Sequence, residues 1–249
     1  MIVLSCNIGP DSWPERRELC AEVLLSRSPS IICFQEMVEE KLDYLRLALR
    51  QFDWFGTCNK PAGRNPVAAI FYLRERFERI SAGSYWLSQT PHVPGSRSWD
   101  SAGTRLANWV CLEEHASGRR FRAISTHLDH FSQEARENQG RMINEDAAAY
   151  PGEYPQILAG DMNSDRENPV IRAFKEAGWQ DSYEAVYGPE EAGFTLHRFA
   201  GQKYESEVGR VDWIFVRGAV HVRGAEIIRD SHDGHYPSDH YFVAADVSF

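Results

Sequence analysis

Short apolar runs alternate along this chain with stretches whose apolar residues recur three or four positions apart. The short runs are typical of buried strands, and the wider spacing is typical of one apolar helix face. This pattern predicts strands at 2–7, 31–36, 67–73, 105–112, 121–127, just before Asp161, and at 211–217, 220–228 and 241–247. It predicts helices between Ser12 and Pro29, from Leu42 to Leu49, over 132–149 and over 169–177.

The order of these elements indicates the fold class. Strands in both halves of the chain, with helices between them, favour an α/β fold in which two packed sheets are covered by helices. No repeat, low-complexity tract or linker interrupts residues 1–249, so we expect one domain. Ser12 and Glu15 have the spacing of a capping box. The loop Ser88–Thr104 is either a functional loop or an ordinary surface insertion.

Polar or acidic side chains lie next to six of the predicted strands. For any one strand, such a residue is best explained as the start of a loop. Six of them together favour a functional site, because strand ends in a packed sheet meet at one edge of the fold. The side chains are Asn7, Glu36, His127, Asp161 with Asn163, Asp212, and Asp239 with His240.

These residue types suit phosphoryl chemistry with a divalent cation. Carboxylate and amide oxygens are hard ligands that favour Mg²⁺ or Mn²⁺ over Zn²⁺, and such a cation polarises a phosphoryl oxygen. His127 and His240 can donate hydrogen bonds to a phosphate, and Asp212 can orient His240. The oxygen ligands on offer are Asn7, Glu36, Asp161, Asn163 and Asp239.

Composition and charge indicate the expected cellular location and the expected class of partner. With 43% hydrophobic and 25% charged residues, the chain is typical of a globular protein. Its five cysteines show no CxxC spacing, which favours reduced, buried thiols and a cytoplasmic location. No apolar segment approaches the roughly 20 residues that span a bilayer. The net charge of −9 opposes a long polyanion, so the expected partner is a phosphorylated small molecule or a nucleic-acid end.

Several motifs occur in a fixed order along nearly the whole chain. They are the Asn7 strand, Gln35-Glu36, Thr126-His127-Leu128-Asp129, Gly160-Asp161-Met162-Asn163, Arg210-Val211-Asp212-Trp213 and Ser238-Asp239-His240. This set resembles the endonuclease/exonuclease/phosphatase superfamily, which includes type-I deoxyribonuclease, exonuclease III, inositol polyphosphate phosphatases and sphingomyelinases. Gly-Asp-x-Asn followed by Ser-Asp-His is the specific part of the match. The resemblance implies a four-layer α/β sandwich and a metal-dependent phosphoesterase.

The resemblance also implies how the chain binds its cofactor and substrate. Glu36 is the expected principal ligand of Mg²⁺ or Mn²⁺, aided by Asn7 and Asp239. A bacterial branch of the family has an Arg-x-x-x-Trp sequence similar to the one that begins at Arg105 and ends at Trp109. Arg105 is therefore expected to bind a phosphate oxygen through its forked guanidinium, with a surface salt bridge as the alternative.

The same resemblance implies a role for each of the catalytic residues. Asp161 is expected to position or deprotonate the attacking water, and Asn163 to hold the phosphate or that water. His127 and His240 are expected to contact the phosphate, with Asp212 behind His240.

The chain departs from the family pattern before the strand at 67–73. Some members have a Glu there that orients the first histidine, whereas this chain has Arg64-Asn65-Pro66. Asn65, Asp129 or a backbone carbonyl is therefore expected to orient His127 instead.

The predicted activity is hydrolysis of a phosphodiester or phosphomonoester by in-line attack of water, with a small or terminal ester favoured. A nuclease acting on DNA or RNA is the main alternative, and a basic groove beside the site would favour it. The densest basic clusters, Arg119–Arg122 and Arg74–Arg79, lie next to no catalytic motif in the sequence. A non-catalytic binding module and a zinc hydrolase built on histidines remain further alternatives. His232, Asp233, His235 and His240 are either a His-rich metal site or part of a solvated loop. The oligomeric state stays open.

Overall fold

The computed structural model follows the predicted order of elements, with several additions. It describes residues 1–56, 67–190 and 193–249, so Cys58 and Asn65 lie outside the described residues. The strands are β1 (Ile2–Asn7), β2 (Ile31–Met37), β3 (Phe52–Phe55), β4 (Val67–Leu73), β5 (Phe77–Trp86), β6 (Leu106–Glu114), β7 (Arg120–His127), β8 (Gln156–Asp161), β9 (Gln180–Asp181), β10 (Asp212–Arg217), β11 (His221–Ile228) and β12 (Phe242–Ser248). The helices are α1 (Trp13–Ser26), α2 (Glu39–Ala48), α3 (Gln133–Ala148), α4 (Pro169–Glu176) and α5 (Ser182–Tyr187), with a 3₁₀ turn at Gly201–Lys203.

Two local expectations differ from the structure. The pattern of apolar runs did not predict β3, β5, β9 or α5. β5 lies at a sheet edge and only its two end residues are buried, so no apolar run marks it. The capping-box prediction is wrong: Ser12 is the N-cap of α1, but its side chain makes no capping hydrogen bond. Its φ of 53° is left-handed, whereas a capping serine normally has an extended backbone.

Two mixed sheets of six strands form the centre of the fold. The strand order is β11-β12-β1-β2-β4-β3 in the first sheet and β5-β6-β7-β8-β10-β9 in the second. The two middle strands of each sheet are parallel, β1 with β2 and β7 with β8, and all other pairs are antiparallel.

Apolar side chains fill three layers of core. Between the sheets, residues of both sheets pack together, among them Val3, Ile31, Phe121 and Ile157. A second cluster joins α1 and α2 to the outer face of the first sheet, and a third joins α3 and α4 to the outer face of the second. The helix, sheet, sheet, helix order confirms the predicted four-layer α/β sandwich.

Two further expectations are that the cysteines are buried and that no segment spans a membrane. In the described part of the chain the free cysteines are buried, at Cys6, Cys20, Cys33 and Cys111. No helix within those residues has both the length and the apolar character needed to cross a membrane.

The central strands of both sheets end at one edge of the sandwich. Because β1 and β2 are parallel, Asn7 at the end of β1 lies beside Gln35 of β2. β7 and β8 are also parallel, so His127 at the end of β7 lies beside Asp161 at the end of β8. A hydrogen bond of 2.9 Å from Asn7 Nδ2 to Asp161 Oδ2 joins the two sheets at this edge. The fold thus brings polar residues that are distant in sequence to one place.

Candidate active site at the sheet edge

Asp161 lies at the centre of the polar cluster. It ends β8 directly opposite Asp212, the first residue of the antiparallel strand β10, and each is only 1% exposed. Burial and the charge of Asp212 raise the pKa of Asp161 to about 7. Hydrogen bonds from Asn7 Nδ2 (2.9 Å) and the backbone N–H of Asn163 (2.8 Å) favour its charged form. Asp161 can therefore gain or lose a proton near neutral pH.

Asp212 and His240 form a buried pair behind Asp161. The ring Nδ1 of His240 lies 2.8 Å from Asp212 Oδ2. Burial disfavours the imidazolium, but the charge of Asp212 and this hydrogen bond outweigh burial and raise the pKa of His240 to about 10. His240 is therefore a protonated donor at neutral pH, with its Nε2 4.0 Å from Asp161 Oδ2.

Thr195 supports this pair, although no sequence motif marks it. Its hydroxyl oxygen accepts hydrogen bonds from the backbone N–H groups of Val211 (3.0 Å) and Asp212 (3.2 Å). These bonds fix the start of β10, and with it the direction of the Asp212 side chain.

His127 faces Asp161 from the neighbouring strand end. Its Nε2 lies 3.4 Å from Asp161 Oδ2 and 2.9 Å from Asn163 Nδ2. Burial, and then the positive charge of Arg105, lower the pKa of His127 well below its usual value, so the ring is neutral at pH 7. Asn163 Nδ2 also donates to the Leu128 carbonyl (3.0 Å), which can only accept. The His127 Nε2 is therefore an acceptor, and the ring proton lies on Nδ1.

Among the residues expected to orient His127, Asp129 is engaged elsewhere. Its fully buried carboxylate accepts hydrogen bonds from the Ser101 hydroxyl and the backbone N–H groups of Ala102, Phe131 and Ser132. These bonds fasten the loop Ser88–Thr104 to the connection between β7 and α3. Asn163 supplies a contact to the ring that the sequence did not indicate.

Arg105 lies beside this cluster with hydrogen-bonding capacity to spare. Its side chain is 14% exposed, with Nε 3.8 Å from Asp129 Oδ2 and Nη2 3.1 Å from His130 Nδ1. Burial lowers its pKa, although Asp129, Asp161 and Glu36 act in the opposite direction. Within the part of the chain that the structure describes, its buried Nε makes no hydrogen bond. Its ion pair with Asp129 is buried and is therefore not the surface salt bridge given as the alternative, and the guanidinium can donate to a phosphate oxygen.

Asn7, Glu36 and Asp239 provide an oxygen-rich group beside Asp161. Asn7 Nδ2 lies 3.4 Å from Glu36 Oε1. Gly9, with a φ of +50°, packs so closely that a Cβ there would lie 2.1 Å from Asp239 Oδ1. Among the described residues, neither Glu36 nor Asp239 forms an ion pair with a cationic side chain. Two carboxylates without a side-chain counterion fit Mg²⁺ or Mn²⁺. The Asn7 side chain turns Nδ2 toward Glu36 and Asp161, and its Oδ1 accepts from the Gly9 N–H (3.0 Å), so this oxygen must exchange that bond to become a ligand.

A second group of potential metal ligands differs from this set. One ligand atom each from Asp161, Asp212 and His240 lies within 4.8 Å of the others. Because Asp212 and His240 bond to each other and His240 retains its proton, this group suits proton transfer better than metal binding. His232 and His235 are exposed, and their backbones pair in an isolated β-bridge. This arrangement gives no support to the zinc alternative.

Comparisons with known proteins agree with this geometry. A model of the Endonuclease/Exonuclease/phosphatase family matches residues 3–240. The structure of mannosyl-6-phosphatase from Bacteroides thetaiotaomicron superposes with a TM-score of 0.91 at 26% identity, covering 100% of both chains.

Nocturnin is a second relative. The Mus musculus protein is 26% identical over 99% of this chain and 61% of its own length, so the chain spans about three fifths of the curated relatives it matches. The human nocturnin catalytic domain, solved with a bound sulfate anion, shares the fold with a TM-score of 0.80 at 23% identity, over 100% of this chain and 94% of that one.

Proposed function

Because the chain belongs to the endonuclease/exonuclease/phosphatase family, we propose that it hydrolyses a phosphate ester by in-line attack of water with the help of Mg²⁺ or Mn²⁺. The family match confirms the family that the motifs predicted and supports the class of phosphoric ester hydrolase. The position of Asp161 carries the proposal. It is a buried carboxylate of raised pKa between an oxygen-rich ligand set and a protonated histidine.

Asn7, Glu36 and Asp239 are the proposed ligands of the cation. When bound, the cation polarises a phosphoryl oxygen and stabilises the leaving oxyanion. Asn7 also donates a hydrogen bond to Asp161. The ligand set and the proposed base are therefore held together by one side chain.

Asp161 is proposed to position the attacking water and to accept its proton. A base works best when its pKa lies near the working pH, because it is then largely ionised and still binds a proton well. The pKa of Asp161 is about 7. His240 is proposed to donate from Nε2 to a phosphoryl oxygen, because Asp212 keeps the ring protonated through the neutral range. A fixed donor of this kind stabilises the charge that grows on the oxygen in the transition state.

Arg105, Asn163 and His127 are proposed to hold the phosphate. Arg105 has a buried guanidinium with an unused donor. Neutral His127 accepts from one amide hydrogen of Asn163 and the Leu128 carbonyl accepts the other, so Asn163 exchanges one of these bonds when it contacts the phosphate. These groups bind and orient the substrate, whereas Asp161 accepts the proton of the water and His240 stabilises the phosphoryl oxygen.

A small or terminal phosphate ester is the proposed substrate class. The net charge of −9 repels a long polyanion. Most arginines of the basic clusters seen in the sequence pair with acids, as in Arg76–Glu114 (2.8 Å) and Arg120–Glu113 (2.6 Å). The anchored loop Ser88–Thr104 adds a wall beside Arg105. The related Bacteroides enzyme is named as a phosphatase of a 6-phosphorylated mannosyl group, which supports the same class.

A substrate and metal panel tests the proposal. Sugar monophosphates, nucleotides, lipid head groups, short oligonucleotides and plasmid DNA are each incubated with Mg²⁺, Mn²⁺, Zn²⁺ or EDTA, and an Asp161→Asn enzyme is the control. We expect release of phosphate from small esters with Mg²⁺ or Mn²⁺ and none in EDTA. Faster nicking of the plasmid than hydrolysis of every small ester would make the protein a nuclease. Activity with Zn²⁺ alone would favour the zinc hydrolase, and no activity on any substrate the binding module.

A further inference from the structure

Two buried cations, Arg16 of α1 and Lys41 of α2, lie behind the proposed metal ligands. Their exposures are 4% and 2%. No carboxylate of the described residues forms an ion pair with either side chain. A buried charge without a carboxylate partner is costly. The hydrogen bonds that these two cations make must therefore offset that cost, and they indicate the structural role of each side chain.

The Arg16 guanidinium joins the loop after β1 to the loop before β12. Nη2 donates to the carbonyls of Ile8 and Gly9, and Nη1 donates to the carbonyl of Pro237 (2.8 Å). Nε donates to the carbonyl of Asp11 (2.7 Å). Ile8 follows Asn7 directly, and Pro237 stands two residues before Asp239. One side chain therefore fixes the backbone around two of the three proposed ligands.

Lys41 connects the third ligand to the same point. Its Nζ donates to the carbonyl of Gly9 and to the carbonyl of Glu36 (2.9 Å). Glu36 itself has a left-handed φ of 58°, at an irregularity in the pairing of β2 with β4. A non-glycine residue in this conformation needs support from its surroundings, and the bond from Lys41 to its carbonyl supplies some. The Gly9 carbonyl accepts from both cations, so all three ligand-bearing segments are tied together.

We propose that Arg16 and Lys41 are positioning residues that hold the segments of Asn7, Glu36 and Asp239 in register and thereby set the affinity of the site for its divalent cation. The inference rests on the proposed function, because it takes these three residues to be the ligands. Neither cation contacts the substrate in this account. Both act through bonds to backbone carbonyls.

The proposal predicts a defect in metal binding that general loss of stability does not produce. Mn²⁺ binding is measured without substrate, from the electron paramagnetic resonance signal of free Mn²⁺, for Arg16→Lys and Lys41→Met. Arg122→Lys is the matched control, because Arg122 is also fully buried and its guanidinium pairs with Asp146 beneath the second sheet. We expect Arg16→Lys and Lys41→Met to raise the Kd for Mn²⁺ by about tenfold or more, and Arg122→Lys to change it less than about twofold.

Glu36→Gln separates failure of this inference from failure of the proposed function. If Glu36→Gln weakens Mn²⁺ binding but both Arg16→Lys and Lys41→Met bind like the wild type, the positioning role is wrong and the ligand set stands. Equal weakening in Arg122→Lys would also overturn it, since a nonspecific structural effect would then explain the result. If the wild type binds no Mn²⁺, the ligand set and the inference both fail. Should Arg16→Lys not fold, Lys41→Met alone decides.

Discussion

Replacing Asp212 with Asn tests the proton-transfer account, because one carboxylate controls the pKa of two catalytic groups. Its charge and its 2.8 Å hydrogen bond raise the pKa of His240 to about 10. Its charge also helps to raise the pKa of Asp161 to about 7. Asp212→Asn keeps the shape of the side chain and removes the charge, so the pKa of His240 is expected to fall.

The magnitude follows from the protonation of His240. Burial disfavours the charged ring, so without Asp212 its pKa is expected at about 6.5 or below. At about pH 7.5, a pKa of about 6.5 leaves roughly one tenth of the imidazole protonated. We therefore expect kcat/KM to fall about tenfold or more at that pH from the lost proton alone. Acidification should restore part of the activity, because it restores the imidazolium.

The assay is the pH dependence of kcat/KM, measured by phosphate release. For the wild type we expect a rise as Asp161 ionises around pH 7 and a fall as His240 loses its proton around pH 10. Asp212→Asn should move the alkaline limb to lower pH. Asp233→Asn removes an equal charge from a side chain that is 88% exposed and should keep the wild-type profile. A uniform loss at every pH, with neither limb moved, would refute the reasoning.

Three further predictions test single residues. Asp161→Asn and His240→Ala should each lower kcat on the order of 10²-fold or more, with circular dichroism unchanged, because a proton acceptor or an oxyanion donor is lost. Wild-type turnover by either variant would remove it from the mechanism. Glu36→Gln should raise the Mg²⁺ concentration needed for half-maximal activity, and an unchanged metal titration would show that Glu36 is not a ligand. Arg105→Lys should raise KM for a phosphate monoester more than it lowers kcat, because a lysine cannot form the two-pronged contact; steady-state kinetics with an unchanged KM would contradict that assignment.

Local sequence signals could predict the strands that are buried and the residues at their ends. β1, β2 and β8 each contain a short apolar run, and the parallel pairing of the middle strands brings Asn7 and Asp161 to one edge. β5 could not be found in this way, because an edge strand with one weakly buried face lacks an apolar run. Ser12 had the right spacing for a capping box, but its backbone conformation depends on the turn before it.

Contacts between distant segments set the rest of the candidate site. The pairing of Asp161 with Asp212 depends on the register of β8 and β10, which no single-strand pattern encodes. Thr195, Arg16 and Lys41 bond to backbone groups of Val211, Pro237 and Gly9, which are distant from them in the sequence. The contact from Asn163 to His127 similarly arises where β7 and β8 end together. Residue types at strand ends could therefore indicate the chemistry, but not the supporting bonds.

Hydrolysis of a sugar monophosphate in water enriched in ¹⁸O tests the central claim most directly. The account predicts that, with Mg²⁺ or Mn²⁺, the heavy oxygen enters the released phosphate and not the sugar, because water attacks phosphorus. It also predicts that EDTA or Asp161→Asn abolishes the labelled product. Label in the sugar, or labelled phosphate formed equally well in excess EDTA, would contradict metal-assisted attack of water at phosphorus.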